Sequence, residues 1–261
     1  MRYFLTFLLA AFFSAASAQA RINIFACEPE WASLAAEIAT DKANITSATH
    51  AYQDPHHIRA RPSLLAKMRR ADLLICSGAS LEVGWLPILL LNAGKPEVQA
   101  GKTGHIMVSE HVKMLAVPEA VDRIHGDVHP EGNPHVHLNP HNIIIAAEII
   151  TERLTKIDAN NAEFYQNNKK LFLQKWRRSI ESWQKSAAQL SGMQIISYHK
   201  SWEYLIDWLD LNELANLESK PGIAPTARHL NNLLELTIQN EVKRIIRSPY
   251  APSLSANWLG N

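Results

Sequence analysis

The sequence predicts an α/β protein of two lobes. Each lobe is a parallel sheet flanked by helices, and one long rigid helix joins them. Three observations predict this. Short apolar runs alternate with segments of helical spacing between residues 22 and 93, the pattern of strands and crossover helices in a parallel sheet. Residues 161–190 then run without Gly or Pro, and as one helix they would span about 45 Å, roughly the size of a domain. A second alternating set of runs fills residues 193–261.

In chain order, "INIFAC" (22–27) alternates and is β-branched, which predicts a strand. "PEWASLAAEIAT" (29–40) has helical spacing with Pro29 at its start, where proline suits the first helical position. "NITSATHA" (44–51) predicts a weaker strand. "RPSLLAKMRRA" (61–71) predicts a helix with Leu64, Leu65 and Met68 as its stripe. "DLLICSG" (72–78) is a continuous apolar run closed by Gly78, as in a buried parallel strand. Residues 82–93 and 139–157 predict helices. In the second lobe, strands are expected at 193–199, 212–219 and 243–249, helices at 201–211 and 226–240, and a helix just starting at 254–261. So few strands make a thin lobe, and the second lobe is expected to be incomplete.

Residues 1–20 have Arg2, an apolar run and an A-x-A site, the marks of a cleaved signal peptide. The expected layout is signal peptide 1–20, N-terminal lobe 21–157, linker helix 158–190 and C-terminal lobe 191–261. The apolar run is short for a membrane span, which needs about 20 residues. Cys27 in "IFAC" reads better as part of a strand than as a lipid-attachment box. The net charge of +1 carries no basic excess, so nucleic acid is not an expected partner. Cys27 and Cys76 each end a predicted strand. In a parallel sheet those ends share an edge, and an exported chain with two cysteines is expected to pair them.

The chain has 12 histidines, unevenly spread. "GDVHPEGNPHVHLNPHN" (126–142) alone holds His129, His135, His137 and His141. Prolines and Gly132 prevent one regular helix there. His56, His135 and His199 lie at or beyond the carboxyl ends of predicted strands or in the loops that follow, the edge where α/β sheets bind ligands. His56 and His135 belong to the first lobe and His199 to the second, so a cation held by all three would sit in the cleft between lobes. His50, His105, His111 and His229 read as solvated side chains.

Three motifs then carry a resemblance. "DPHHIRARPS", "NPHVHLNP" and "SYHKSWEYL" resemble, in order and spacing, the motifs of the metal-binding receptors of ABC transporters, the cluster A-I solute-binding proteins. "FACEPEW", "ADLLICSGASLEVGWLP" and "GDVHPEGNPH" are similar to a zinc-receptor branch of that family, and the likeness covers nearly the whole mature chain. It implies two lobes joined by a rigid helix, with His56, His135 and His199 as ligands of one metal. The family's fourth ligand, an Asp or Glu in a loop of the second lobe, has no counterpart here, and the chain is expected to lack a C-terminal portion with a last strand and helix. His129, His137 and Glu28 are candidate accessory contacts, with water as another occupant of the fourth position. Asn133 and Asn139 stand where Asp is usual, which lowers the local charge.

Three imidazoles favour Zn²⁺ over Mn²⁺. The expected function is capture of zinc as cargo and delivery to an ABC permease and its ATPase, by a periplasmic monomer, with a periplasmic metal-donor protein as a further partner. A truncated receptor that holds metal poorly is the variant of this reading. Three His with an open position is also the catalytic zinc pattern, but the sequence has no HExxH and no nucleophile elbow, so a zinc hydrolase is disfavoured.

Overall fold

A computed structural model describes residues 21–119, 127 and 129–260. The expected signal peptide lies outside these residues. The first sheet is made of β1 (Ile22–Ala26), β2 (Ala43–Ser47), β3 (Leu73–Cys76) and β4 (His105–Met107), in the order β2-β1-β3-β4. All its pairings are parallel, with Ile24 opposite Ile45 and Leu73, and Ile75 opposite Ile106. Helices α1 (Pro29–Ala39), α2 (Pro62–Met68) and α3 (Leu86–Ala93) form the crossovers.

Both faces of the sheet are buried at its central strand β3, which is why that strand reads as a continuous apolar run. Ile22, Ile24, Leu73 and Ile75 face a core shared with α1. Phe25, Leu74 and Cys76 face a second core with Leu64 and Met68 of α2 and Leu86 and Leu89 of α3. Cys27 and Cys76 form a disulfide at the carboxyl edge, with Cα atoms 4.8 Å apart.

Helix α4 (Pro140–Ile157) leads into the long helix α5 (Ala162–Ala187). Asn139 caps α4 by accepting from His141 N. Helix α5 buries Tyr165, Phe172 and Ile180, one stripe at helical spacing, and Trp176 donates its indole N–H to Pro140 O at 2.8 Å. Besides joining the lobes, α5 lies along α1 and α4 and completes the first core.

The second sheet is parallel too, with β5 (Gln194–Ser197) between β6 (Asn212–Asn216) and β7 (Ile245–Ile246). Its helices are α6 (Glu203–Leu209), α7 (Ala227–Gln239) and α8 (Leu254–Gly260). Ile196, Leu217, Leu233 and Leu259 form its own core. Tyr204 of α6 departs from that lobe and is buried in the first core.

Three expectations change. Strand β4 was not expected, because three residues between glycine-rich and polar segments give no periodicity. The strand expected at 243–249 shrinks to two residues, as Lys243, Arg244 and Arg247 are poor candidates for burial. The helix expected from residue 82 starts at Leu86, because Glu82 folds back to accept the Ser77 and Gly78 N–H groups.

Candidate metal centre

His56 lies in a short 3-10 turn, Pro55–His57, just after β2. Asp54 accepts its backbone N–H at 3.0 Å and its Nδ1–H at 2.7 Å. Pro55 is buried and accepts the Trp85 indole N–H at 2.9 Å. The Asp-Pro-His run is thus a capped, anchored turn that aims one nitrogen outward. Burial opposes ionisation of Asp54, but the hydrogen bonds and charge of His56 outweigh it and hold the carboxyl below its usual range.

His135 repeats this construction. Asn133 Oδ1 accepts the His135 backbone N–H at 3.0 Å, and Pro134 lies between them. Asn133 also uses a donor that aspartate lacks: its Nδ2 donates to Lys200 O, in the second lobe, at 2.7 Å. His135 is buried, and its Nε2 has no hydrogen-bond partner among the described residues. Burial first, then the neighbouring imidazoles of His56, His137, His199 and His129, holds His135 well below the usual histidine range.

His199 stands two residues past β5, and Glu218 Oε2 accepts from its Nδ1 at 2.7 Å. The same carboxylate accepts the Gly222 N–H at 2.8 Å. Glu218 was not among the residues expected from the sequence, and strand register places it. Ser197 pairs with Asn216 in parallel register, so two residues further on His199 meets Glu218 across neighbouring strands.

The donor nitrogens of His56, His135 and His199 lie within 4.8 Å of one another. Two nitrogens on a tetrahedral Zn²⁺ stand about 3.3 Å apart at ordinary Zn–N lengths, so the donors need draw together by at most about 1.5 Å. His129 is not one of this group of three, but it adjoins it. Its Nε2 is 3.2 Å from His56 Nε2, and its Nδ1 is 2.9 Å from Ala79 O. Burial first, then His56, pushes His129 down to about 4.

These contacts settle the tautomers. Ala79 O, ionised Asp54 and Glu218 offer only acceptors, so His129, His56 and His199 each carry a proton on Nδ1 when neutral. Each Nε2 then presents a lone pair to its neighbours. Lone pairs facing at 3.2 Å repel unless a cation lies between them. The carboxylates sit behind the imidazoles and orient them, as outer partners do in metal centres.

The other candidates lie elsewhere. His137 Nδ1 is 3.1 Å from Glu30 Oε1. Glu28 is buried beside the disulfide, where its Oε2 accepts from Ser77 N and Oγ, both at 3.2 Å. Burial, then Glu82 and Glu30, raises its pKa well above the usual carboxylate range, and burial lifts Glu82 to about 7. Neither residue joins the three-histidine group. Cys27, Cys76 and Glu82 also cluster, but both sulfurs are spent in the disulfide. A cavity of about 470 Å³ lined by Asp127, His129, Asn133 and His199 opens beside the histidines.

With this geometry established, known proteins place the chain. A family described as "ZnuA: Zinc-uptake complex component A periplasmic" matches residues 24–260. The manganese ABC transporter substrate-binding lipoprotein ScaA of Streptococcus gordonii is 32% identical over 165 residues, 61% of this chain and 49% of that protein. The zinc-binding lipoprotein AdcA of Streptococcus pneumoniae is 26% identical over 230 residues, 85% of this chain and 44% of that protein. The chain therefore spans about half the length of the curated relatives it matches. A solved structure described as "Crystal structure of ZnuA" superposes with a TM-score of 0.77 at 20% identity, covering 92% of this chain and 86% of that one. The three histidines at the meeting of two parallel sheets agree with the match, which spans residues 24–260: the chain belongs to the ZnuA family.

Proposed function

We propose that this protein captures Zn²⁺ as cargo in the cleft between its lobes, through His56, His135 and His199, and hands it to an ABC permease driven by an ATPase. A location outside the cytoplasm follows from that role, with a periplasmic metal-donor protein as a further partner. The observation that carries the reading is the group of three imidazole nitrogens within 4.8 Å, with no carboxylate oxygen among the donors that the described residues supply. An all-nitrogen set suits Zn²⁺, whereas Mn²⁺ prefers carboxylate and water oxygens. That argument favours zinc for this chain, where the relatives' names divide between zinc and manganese. Asp54 and Glu218 support the choice, because they spend their charge on the outer face of the imidazoles.

The test is a zinc titration by competition with a chromophoric chelator, beside a His199→Ala variant. One tight site that the variant loses is the expected result. Tight Mn²⁺ binding with weak Zn²⁺ binding would reassign the cargo, and binding indifferent to His199 would remove the site.

A further inference from the structure

We propose that His129 supplies a fourth nitrogen to the cation held by His56, His135 and His199, and that the turn carrying it is built to present it. The inference rests on the metal-receptor reading above and deepens it, since it makes His129 a determinant of which metal the site accepts.

The first observation is contact. His129 Nε2 already stands 3.2 Å from His56 Nε2, close to the edge of a zinc tetrahedron, about 3.3 Å. Its other nitrogen is tied to Ala79 O at 2.9 Å, which leaves Nε2 as the free donor. Three ligands plus His129 would close the coordination sphere with imidazole alone.

The second observation is the mount. Gly132 N donates to His129 O at 3.1 Å, closing a four-residue turn. Pro130 at its second position and Gly132 at its fourth are the composition of a type I turn. Gly132 has φ of 111°, and a Cβ there would lie 2.8 Å from Leu115 O, so no other residue fits without displacement. Asn133, next in the chain, donates its N–H to that same Leu115 O at 2.8 Å. The turn is therefore seated on backbone from both ends.

The third observation is a latch. Ser80 Oγ lies 3.0 and 3.1 Å from the two carboxylate oxygens of Glu131. Ala79 and Ser80 have φ of 48° and 63°, a left-handed conformation that non-glycine residues seldom adopt. That conformation lets Ala79 O accept from His129 and Ser80 Oγ donate to Glu131 side by side. Ser80 and Glu131 are positioning residues for His129.

X-ray absorption on the zinc-loaded protein would count the ligands without any substitution, and four imidazoles are expected. Co²⁺ in place of Zn²⁺ should give the intense visible bands of a tetrahedral centre. His129→Ala should weaken those bands, as water expands the shell, and lower zinc affinity about 100-fold. Ser80→Ala and Glu131→Gln should keep the bands but lower affinity about 10-fold, through faster release. His129→Asp should raise Mn²⁺ affinity relative to Zn²⁺. Three imidazoles by absorption, or a His129→Ala protein with unchanged affinity and cobalt spectrum, would overturn the proposal. Zinc binding unchanged in His199→Ala would instead overturn the three-histidine reading beneath it.

Discussion

Glu218 shows how much of the site rests on a residue that touches no metal. Its carboxylate fixes the His199 tautomer at 2.7 Å and accepts Gly222 N–H with the same oxygen. Glu218→Gln keeps the size but removes the charge that strengthens the imidazole as a donor. Zinc affinity should fall about 10- to 100-fold, measured by chelator competition, with Co²⁺ still tetrahedral. An unchanged affinity would show that Glu218 serves only the loop. His56 and His135 were legible as candidates because each ends an Asx-Pro-His run whose first residue accepts the histidine N–H, and His199 because it stands two residues past β5. Glu218 was not read, because its partnership is across two strands and 19 residues. The Asn133 side chain was read only as a lost charge, whereas its Nδ2 joins the lobes through Lys200 O.

At the scale of elements, β1 and β3 end together on a disulfide and a buried carboxyl pair. Glu82 accepts N–H groups of Ser77 and Gly78, and burial raises both it and Glu28 beside it above the usual carboxylate range. Both folded-state pKa values lie above the ordinary 4.5. Stability from such groups is fully present below the unfolded pKa and is lost as pH rises through the folded one. In the metal-free protein this pair should therefore cost stability between pH 4.5 and beyond 7. His129 and His135 act in the opposite sense. Their depressed values make stability fall as pH drops from 6.5 towards 4. Glu28→Gln isolates the carboxyl contribution. Relative to wild type it should gain stability as pH rises above 4.5, read as the difference between two denaturant-midpoint profiles. A flat difference would mean that Glu28 ionises without penalty. Strand β3 was legible as a continuous apolar run because both sheet faces are buried there. The extra strand β4 was not, since three residues paired only through register with β3 carry no pattern of their own.

Across the whole molecule, Tyr204 and Asn133 join the two lobes beside the histidines. Tyr204 of α6 is buried in the first core, donates its hydroxyl to Asn133 O at 3.1 Å and accepts Leu115 N–H at 3.2 Å. Asn133 Nδ2 answers with Lys200 O. The long helix joins the lobes, and its buried stripe packs on the first core. A cation bound by His56, His135 and His199 would add a bond between the lobes. Any ligand that binds only the folded, joined state stabilises it, by about 4 kcal/mol at a thousand times its Kd. Zinc at that excess should slow amide exchange in β5 and β6 by up to about a thousandfold, the same free energy expressed as an opening equilibrium. In His199→Ala the second lobe loses its share of the site, so β5 and β6 should exchange at the metal-free rate while the turn at His56 keeps whatever protection residual binding provides. Equal protection of β5 in variant and wild type would show that the lobes are coupled through Tyr204 and Asn133 alone, and that the cation is carried by the first lobe.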